Sequence, residues 1–301
     1  MPVLDHALQQ KITLLAAKHQ QRELRPSLRE SPTRVVREGK PLISFSCNDY
    51  FGLSHHPKVI EAAVDATRHY GVGAGASRLV SGNHPLYEQF EAQLATYKGA
   101  ARALVFGSGY LANLGVIPAL VAAGDMVLAD KFSHACMLDG ARVSGANLFR
   151  FAHNNLSHAR MILEAHRHEH QHCLIMTETV FSMEGDRGVV AELVALAAEF
   201  DAWLMTDDAH GLGVIEQPDK AEIQMGTLSK SLGTYGGYVC GSDTLSDYLS
   251  TAARSLVFST GLPPAVLAAA SAALALIESD ATLRQAPLAN AHYFTQLTGL
   301  P

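Results

Sequence analysis

From residue 101 onward the chain alternates short apolar runs of strand character with longer segments whose apolar residues recur every three or four positions. Few folds accept that alternation, and the principal one is a sheet with helices laid across it. "ARALVFG", "DMVLAD", "NLFRFAH", "HCLIMTE", "AWLMTDD", "EIQMGT" and "GGYVCGS" are the candidate strands. Several are apolar on both faces, as central strands of a mostly parallel sheet are. Between them, "LSHARMILEAHRHE" and "VVAELVALAAEF" carry helical periodicity. Upstream, "HPKVIEAAVDATRHYG" and "HPLYEQFEAQLATYKG" each open after a proline and close on glycine, as helices do. Downstream, "SDYLSTAARSLVF" and "PPAVLAAASAALALIES" are helical, and the chain closes on a turn-like "LTGLP". One large α/β domain with a seven-stranded sheet is expected.

At 301 residues and 48% apolar composition, such a domain has ample material for a core. A formal charge of -6, with no cluster of lysine and arginine, argues against nucleic acid and membrane surfaces as partners and leaves small molecules or protein. Cys47, Cys136, Cys173 and Cys240 show no paired spacing, so neither a disulfide framework nor a zinc site is indicated, and a cytoplasmic location is expected. The opening "MPVLDHALQQKITLLAAKHQQREL" reads as a polar amphipathic helix without the apolar core of a signal peptide or a membrane span.

Ligands of open α/β sheets bind beyond the carboxyl ends of the strands, and the residues there are unusually reactive. "GSGYLAN" after "ALVF" offers free helix-start N–H groups to a phosphate. "KFSHACMLDG" delivers His134, and "TVFSMEGD" delivers Ser182 and Glu184. "TDDAHGLG" brings Asp207, Asp208 and His210, and "GTLSK" brings Thr227 and Lys230. An anion cup, an acid, imidazoles, hydroxyls and a lysine along one edge match a cofactor with a phosphate, a ring nitrogen and a carbonyl. Pyridoxal 5'-phosphate (PLP) has all three, with lysine forming the imine and aspartate keeping the ring nitrogen protonated.

Other readings of these segments are weaker. "GTLSK" alone is more often a surface lysine, and its weight comes from standing with "DDAH" and "FSH". The glycines of "GVGAGASRLVSG" follow a helical pattern, which disfavours a dinucleotide fingerprint, and "GTLSKS" lacks the glycine before lysine of a Walker loop. Alternate spacing scatters His166, His168, His170 and His172 around a helix end, so no metal site is expected. Cys47 and Cys136 read as small packing residues.

The segments "SCNDYFGLSHHP", "GAGASRLVSGNHPLYEQFE", "FGSGYLANLGVI", "DKFSHACMLDGARVSGA", "TETVFSMEGD", "TDDAHGLGV", "GTLSKSLGTYGG" and "FSTGLPP" resemble, in order, those of the α-oxoamine synthases of PLP fold type I. The resemblance implies PLP in imine linkage with Lys230, its ring nitrogen against Asp207 and its phenolic oxygen near His210. His134 would stack on the ring and face substrate. The phosphate would lie on the backbone of Gly109 and Tyr110 with Thr227 assisting, and Glu178 and Ser182 would line the same cavity. Ser259 and Thr260 would reach the phosphate of a neighbouring subunit, which makes a homodimer. Asn48 and Arg22 would face substrate.

The implied catalytic set is therefore Lys230, His134, Asp207 and His210, with no metal. The implied reaction is condensation of L-alanine with a pimeloyl thioester, pimeloyl-CoA or pimeloyl-acyl carrier protein, with loss of carbon dioxide, in biotin biosynthesis. Sister activities join glycine to acetyl-CoA or succinyl-CoA, or serine to a long acyl chain. A reading of another class is a silent PLP-fold scaffold subunit. The expected organisation is an N-terminal segment over 1–45, a large PLP-binding domain over 46–285, and over 286–301 the start of a small C-terminal domain that is largely absent from this chain. "EQPDKAEIQM" is shorter than the family's glycine-rich segment before "GTLSK".

Overall fold

All seven apolar runs form strands of one sheet in the computed structural model, which describes residues 2–216 and 220–299. Residues 217–219 of the shortened "EQPDKAEIQM" segment, and the chain end at 300–301, lie outside the described residues. The chain divides into two units, Met1–Cys47 and Asn48–Pro301.

The first unit begins with helix α1 (Val3–Ala17), which buries none of its residues within the chain. Three short strands follow, β1 (Leu28–Arg29), β2 (Arg34–Arg37) and β3 (Lys40–Ile43), paired antiparallel in that order. They are an addition to the sequence reading. Their one strong signal is the tight turn between β2 and β3, where Glu38 and Gly39 both take positive φ, 52° and 73°. A two-residue hairpin turn of this kind matches the twist of its strands.

In the second unit, α2 (Pro57–Tyr70) and α3 (Pro85–Lys98) share one construction. A histidine side chain, His56 or His84, caps the first turn, proline occupies the first helical position, and glycine with positive φ ends the helix. The remaining elements alternate. They are β4 (Arg102–Phe106), α4 (Gly109–Leu120), β5 (Met126–Asp130), α5 (Ala135–Ser144), β6 (Asn147–Phe151), α6 (Leu156–His166), β7 (Cys173–Glu178), α7 (Val190–Glu199), β8 (Trp203–Asp207), β9 (Ile223–Thr227) and β10 (Gly237–Gly241). Helices α8 (Asp243–Ala252), α9 (Arg254–Val257), α10 (Pro264–Ser279) and α11 (Ala281–Thr298) close the unit. Helix α11 runs through residue 286 without interruption.

The sheet order is β4-β10-β9-β8-β7-β5-β6, and β10 alone runs against its neighbours. The other strands therefore end on one edge. Alternate residues explain the two-sided apolar character: Leu104 and Phe106 pack with α4 and α5, whereas Ala103 and Val105 pack with α3 and α10. Met126, Leu128, Ile175 and Leu204 meet α6 and α7. Two of the clustered histidines have packing roles, His166 stacking on Phe149 and His172 on Trp203.

Strand β10 crosses directly beneath the start of α4. A Cβ on Gly237 would lie 2.4 Å from the Ser108 carbonyl oxygen and 2.6 Å from the Gly109 nitrogen, both backbone atoms. Only glycine lets the strand seat the helix start at the sheet edge. Gly237→Ala is expected to cost about 1–3 kcal/mol, as overpacking of a tight interior does. Urea denaturation of both proteins, read as a shift of midpoint at unchanged slope, checks it.

Candidate active site

The strand ends converge on a cavity of about 190 Å³. Gly109, Tyr110, His134, Glu178, Asp207, His210, Thr227 and Lys230, contributed by successive connections, all line it. A larger cleft of about 930 Å³ lies beside Lys98 and the start of α11, and of the reactive strand-end residues read from the sequence it takes only Asp208.

One wall is the N-terminus of α4. Ser108 caps it, its hydroxyl accepting from the Leu111 N–H at 3.1 Å, so the N–H groups of Gly109 and Tyr110 remain without a helical acceptor. These form a positive, anion-seeking surface. A Cβ on Gly109 would come within 3.2 Å of the Thr227 Cβ, so glycine lets the end of β9 approach the helix start. Thr227 is fixed there by its hydroxyl, which donates to the Gly236 carbonyl at 2.8 Å.

Asp207, at the end of β8, is buried. One carboxylate oxygen accepts from the Ala209 N–H at 2.9 Å and the other from Asn113 Nδ2 at 3.2 Å. Burial raises its pKa, opposed by these hydrogen bonds and by the positive charge of Lys230. Glu178, ending β7, accepts from the His134 N–H at 2.6 Å. Burial, with the Asp207 charge nearby, pushes its carboxyl up to about 8. Burial also lowers the pKa of the half-buried Lys230, while Asp207 and Glu178 pull it back. His210 is lowered to about 4 by burial and by the cationic Lys230, and it shares a 2.5 Å hydrogen bond with the Tyr50 hydroxyl through Nδ1.

The other expected site residues fall outside the cavity lining. Ser182 is exposed on the turn after β7, Ser259 is half-buried, and Thr260 is exposed and bridged to Ser77. Asn48 is exposed at the start of the second unit. Arg22 belongs to the first unit, on the exposed run between α1 and β1.

Three site residues were missed by sequence reasoning. Tyr50 reaches His210 from 160 positions upstream. Asn113 holds Asp207, and Cys136, read as packing, lines the cavity with its sulfur 2.9 Å from His134 Nδ1. Asn113 did leave a signal, as a lone amide within the apolar helix "GYLANLGVIPAL".

The raised Glu178 pKa has a pH consequence in the cofactor-free protein. Its folded value, about 8, exceeds the ordinary 4.5, so the folded state binds the extra proton between those limits. That stabilisation is complete below pH 4.5 and is lost as pH rises through 8. Glu178→Gln keeps an acceptor for the His134 N–H without titrating. The stability difference, wild type minus variant, is expected to fall steadily from pH 5 to about 8.5, measured by urea unfolding at each pH.

Comparison with known proteins agrees with this geometry. Residues 40–298 match the model of the aminotransferase class I and II family. An 8-amino-7-oxononanoate synthase of Methylobacterium nodulans is 52% identical over 300 residues, covering 100% of this chain and 79% of the relative. Among solved structures, a serine palmitoyltransferase from S. paucimobilis with a bound PLP–myriocin aldimine superposes with a TM-score of 0.84 at 29% identity, over 93% of this chain and 76% of the other. An 8-amino-7-oxononanoate synthase from Francisella tularensis gives 0.71 at 29% identity, over 84% and 74%. With its fold, its lysine-bearing sheet edge and a half-identical relative in agreement, this chain belongs to the aminotransferase class I and II family, on the branch of the 8-amino-7-oxononanoate synthases.

Proposed function

We propose that this chain condenses L-alanine with a pimeloyl thioester, carried on CoA or acyl carrier protein, releasing carbon dioxide and forming 8-amino-7-oxononanoate for biotin biosynthesis. The observation that carries the chemistry is one cavity where a desolvated lysine, a buried carboxylate and a free helix N-terminus face each other. The donor set fits PLP. Asp207 is buried with a raised pKa, a carboxylate that a cationic ring nitrogen would relieve, and the Gly109–Tyr110 backbone suits a phosphate.

When bound, PLP supplies an electron sink for charge developing at the alanine α-carbon. Lys230 would hold it through its aldehyde and, once displaced by alanine, serve as base at that carbon. Burial suits Lys230 to the task, because a lowered pKa raises the fraction of free amine. Asp207 would keep a proton on the ring nitrogen. His210, neutral in the physiological range with its pKa near 4, would donate a hydrogen bond to the phenolic oxygen. His134 would cover the ring face and exclude water, with Thr227 on the phosphate and Glu178 at the cavity wall. Asn48 and Arg22 would meet substrate.

A homodimer is part of the proposal, with Ser259 and Thr260 completing a second copy's phosphate site. Its support is the exposed apolar surface flanking the Ser77–Thr260 bridge, where Leu79, Val80 and Phe258 are 61%, 79% and 72% exposed. A cytoplasmic location is supported by four free cysteines, the state that a reducing compartment maintains.

Purified protein supplied with PLP is expected to show a visible absorption band that Lys230→Ala abolishes, with turnover reduced by about a thousandfold. Carbon dioxide release with pimeloyl-CoA or pimeloyl-acyl carrier protein is expected to be faster with L-alanine than with glycine or L-serine. Faster turnover of glycine or serine overturns the substrate assignment, and a colourless protein overturns the enzyme. Sedimentation is expected to give a dimer.

A further inference from the structure

Asn113 is completely buried on α4. Its Nδ2 lies 3.2 Å from Asp207 Oδ2, 3.0 Å from Cys136 Sγ and 3.6 Å from Met225 Sδ. The opposite amide orientation would set a carbonyl oxygen against the carboxylate, so the charge of Asp207 decides which way the amide faces. The price of that orientation is an Oδ1 buried without a hydrogen-bond partner among the described residues, which a leucine at this position would avoid.

The two protons on Nδ2 then have separate destinations, Asp207 Oδ2 and Cys136 Sγ. Accepting from the amide leaves the thiol's own proton to donate, and His134 Nδ1 lies 2.9 Å from the sulfur. Burial pushes that thiol up to about 12, which keeps the proton on sulfur. The Cys136 backbone N–H also points at Nδ1, from 3.3 Å. With Nδ1 accepting twice, the proton of the neutral imidazole stands on Nε2, the nitrogen left for the cavity.

We propose that Asn113 and Cys136 form a directed hydrogen-bond relay through which the charge of Asp207 fixes the tautomer of His134. Asn113 and Cys136 are positioning residues: they act on substrate and cofactor through His134 and Asp207. The relay makes His134 a hydrogen-bond donor at Nε2, suited to a substrate carboxylate or carbonyl, and ties that state to an ionised Asp207. If Asp207 loses its charge the amide is free to turn, Cys136 then donates to Oδ1, and the thiol proton leaves His134. The functional consequence rests on the reading under Proposed function, whereas the tautomer itself does not.

The test is nitrogen NMR of protein with 15N-labelled histidine rings, both PLP-free and PLP-loaded, with the His134 signals assigned by His134→Asn. Wild type is expected to show the Nε2–H form. Asn113→Ala, Asp207→Asn and Cys136→Ala are each expected to introduce Nδ1–H population, and Cys136→Ser, which keeps a hydroxyl donor and acceptor, to restore the Nε2–H form. In the loaded enzyme, Asn113→Ala and Cys136→Ala are each expected to lower kcat by about tenfold with little change in KM for L-alanine, and the double variant to lose no more than the worse single one. His134 unmoved from the Nε2–H form in Asn113→Ala and Cys136→Ala, or losses that multiply in the double variant, overturns the relay. Because the PLP-free spectra decide the relay without turnover, an absence of activity on L-alanine and pimeloyl-CoA would count against the proposed function alone.

Discussion

The site depends on one buried carboxylate. Asp207 is 4% exposed, yet its two oxygens each receive a hydrogen bond, from the Ala209 N–H and from Asn113. Burial alone favours the neutral acid, and these donors together with Lys230 favour the anion. Around it the same desolvation removes charge elsewhere: Glu178 is pushed up to about 8 and His210 down to about 4. Near neutral pH both are uncharged. The field in the cavity therefore comes chiefly from Asp207, Lys230 and the N-terminus of α4, three sources at three places.

The parallel sheet creates this geometry by ending its strands on one edge, and close backbone approaches tighten it. Gly237 lets β10 run under Ser108 and Gly109, and Gly109 in turn admits Thr227. The helix start and the end of β9 are thereby held against each other by backbone shape. A phosphate site made of backbone N–H groups cannot be built with looser packing, because those donors have no side chain with which to reach.

Six of the seven large strands were legible in the sequence because both their faces are buried, which writes a near-continuous apolar run, whereas the edge strand β6 is partly exposed and showed through its Leu148, Phe149 and Phe151. The small sheet of the first unit was not, since its strands span only two to four residues and β3 is exposed throughout. At the site, residues directly following a strand could be read off: Asp207, Thr227 and Glu178 close strands, and His134 and Lys230 come within a few positions of one. Tyr50 could not, and Asn113 showed only as a lone amide in an apolar helix, because their roles exist in contacts to His210 and Asp207 across 160 and 94 positions. Ser182 followed the same strand-end rule and yet lies exposed, because the chain turns outward between Phe181 and Asp186.

Two aspartates adjoin at the end of β8, and their different environments show how the fold separates structural charge from chemical charge. Successive side chains leave a strand on opposite sides. Asp208 accordingly meets Lys98 at 2.6 Å and the Thr179 hydroxyl at 2.7 Å, which satisfies it completely within a buried ion pair. Its charge is matched by a cation of α3, so little of it reaches the cavity. Asp207 has no such partner salt; its donors are a neutral amide and a backbone N–H. The cation facing it is Lys230, whose own charge burial disfavours, so the compensation is partial and a further cation brought into the cavity would complete it. The same sequence pair thus provides an anchor in one residue and an electrostatic demand in the next, and the demand defines what the cavity binds.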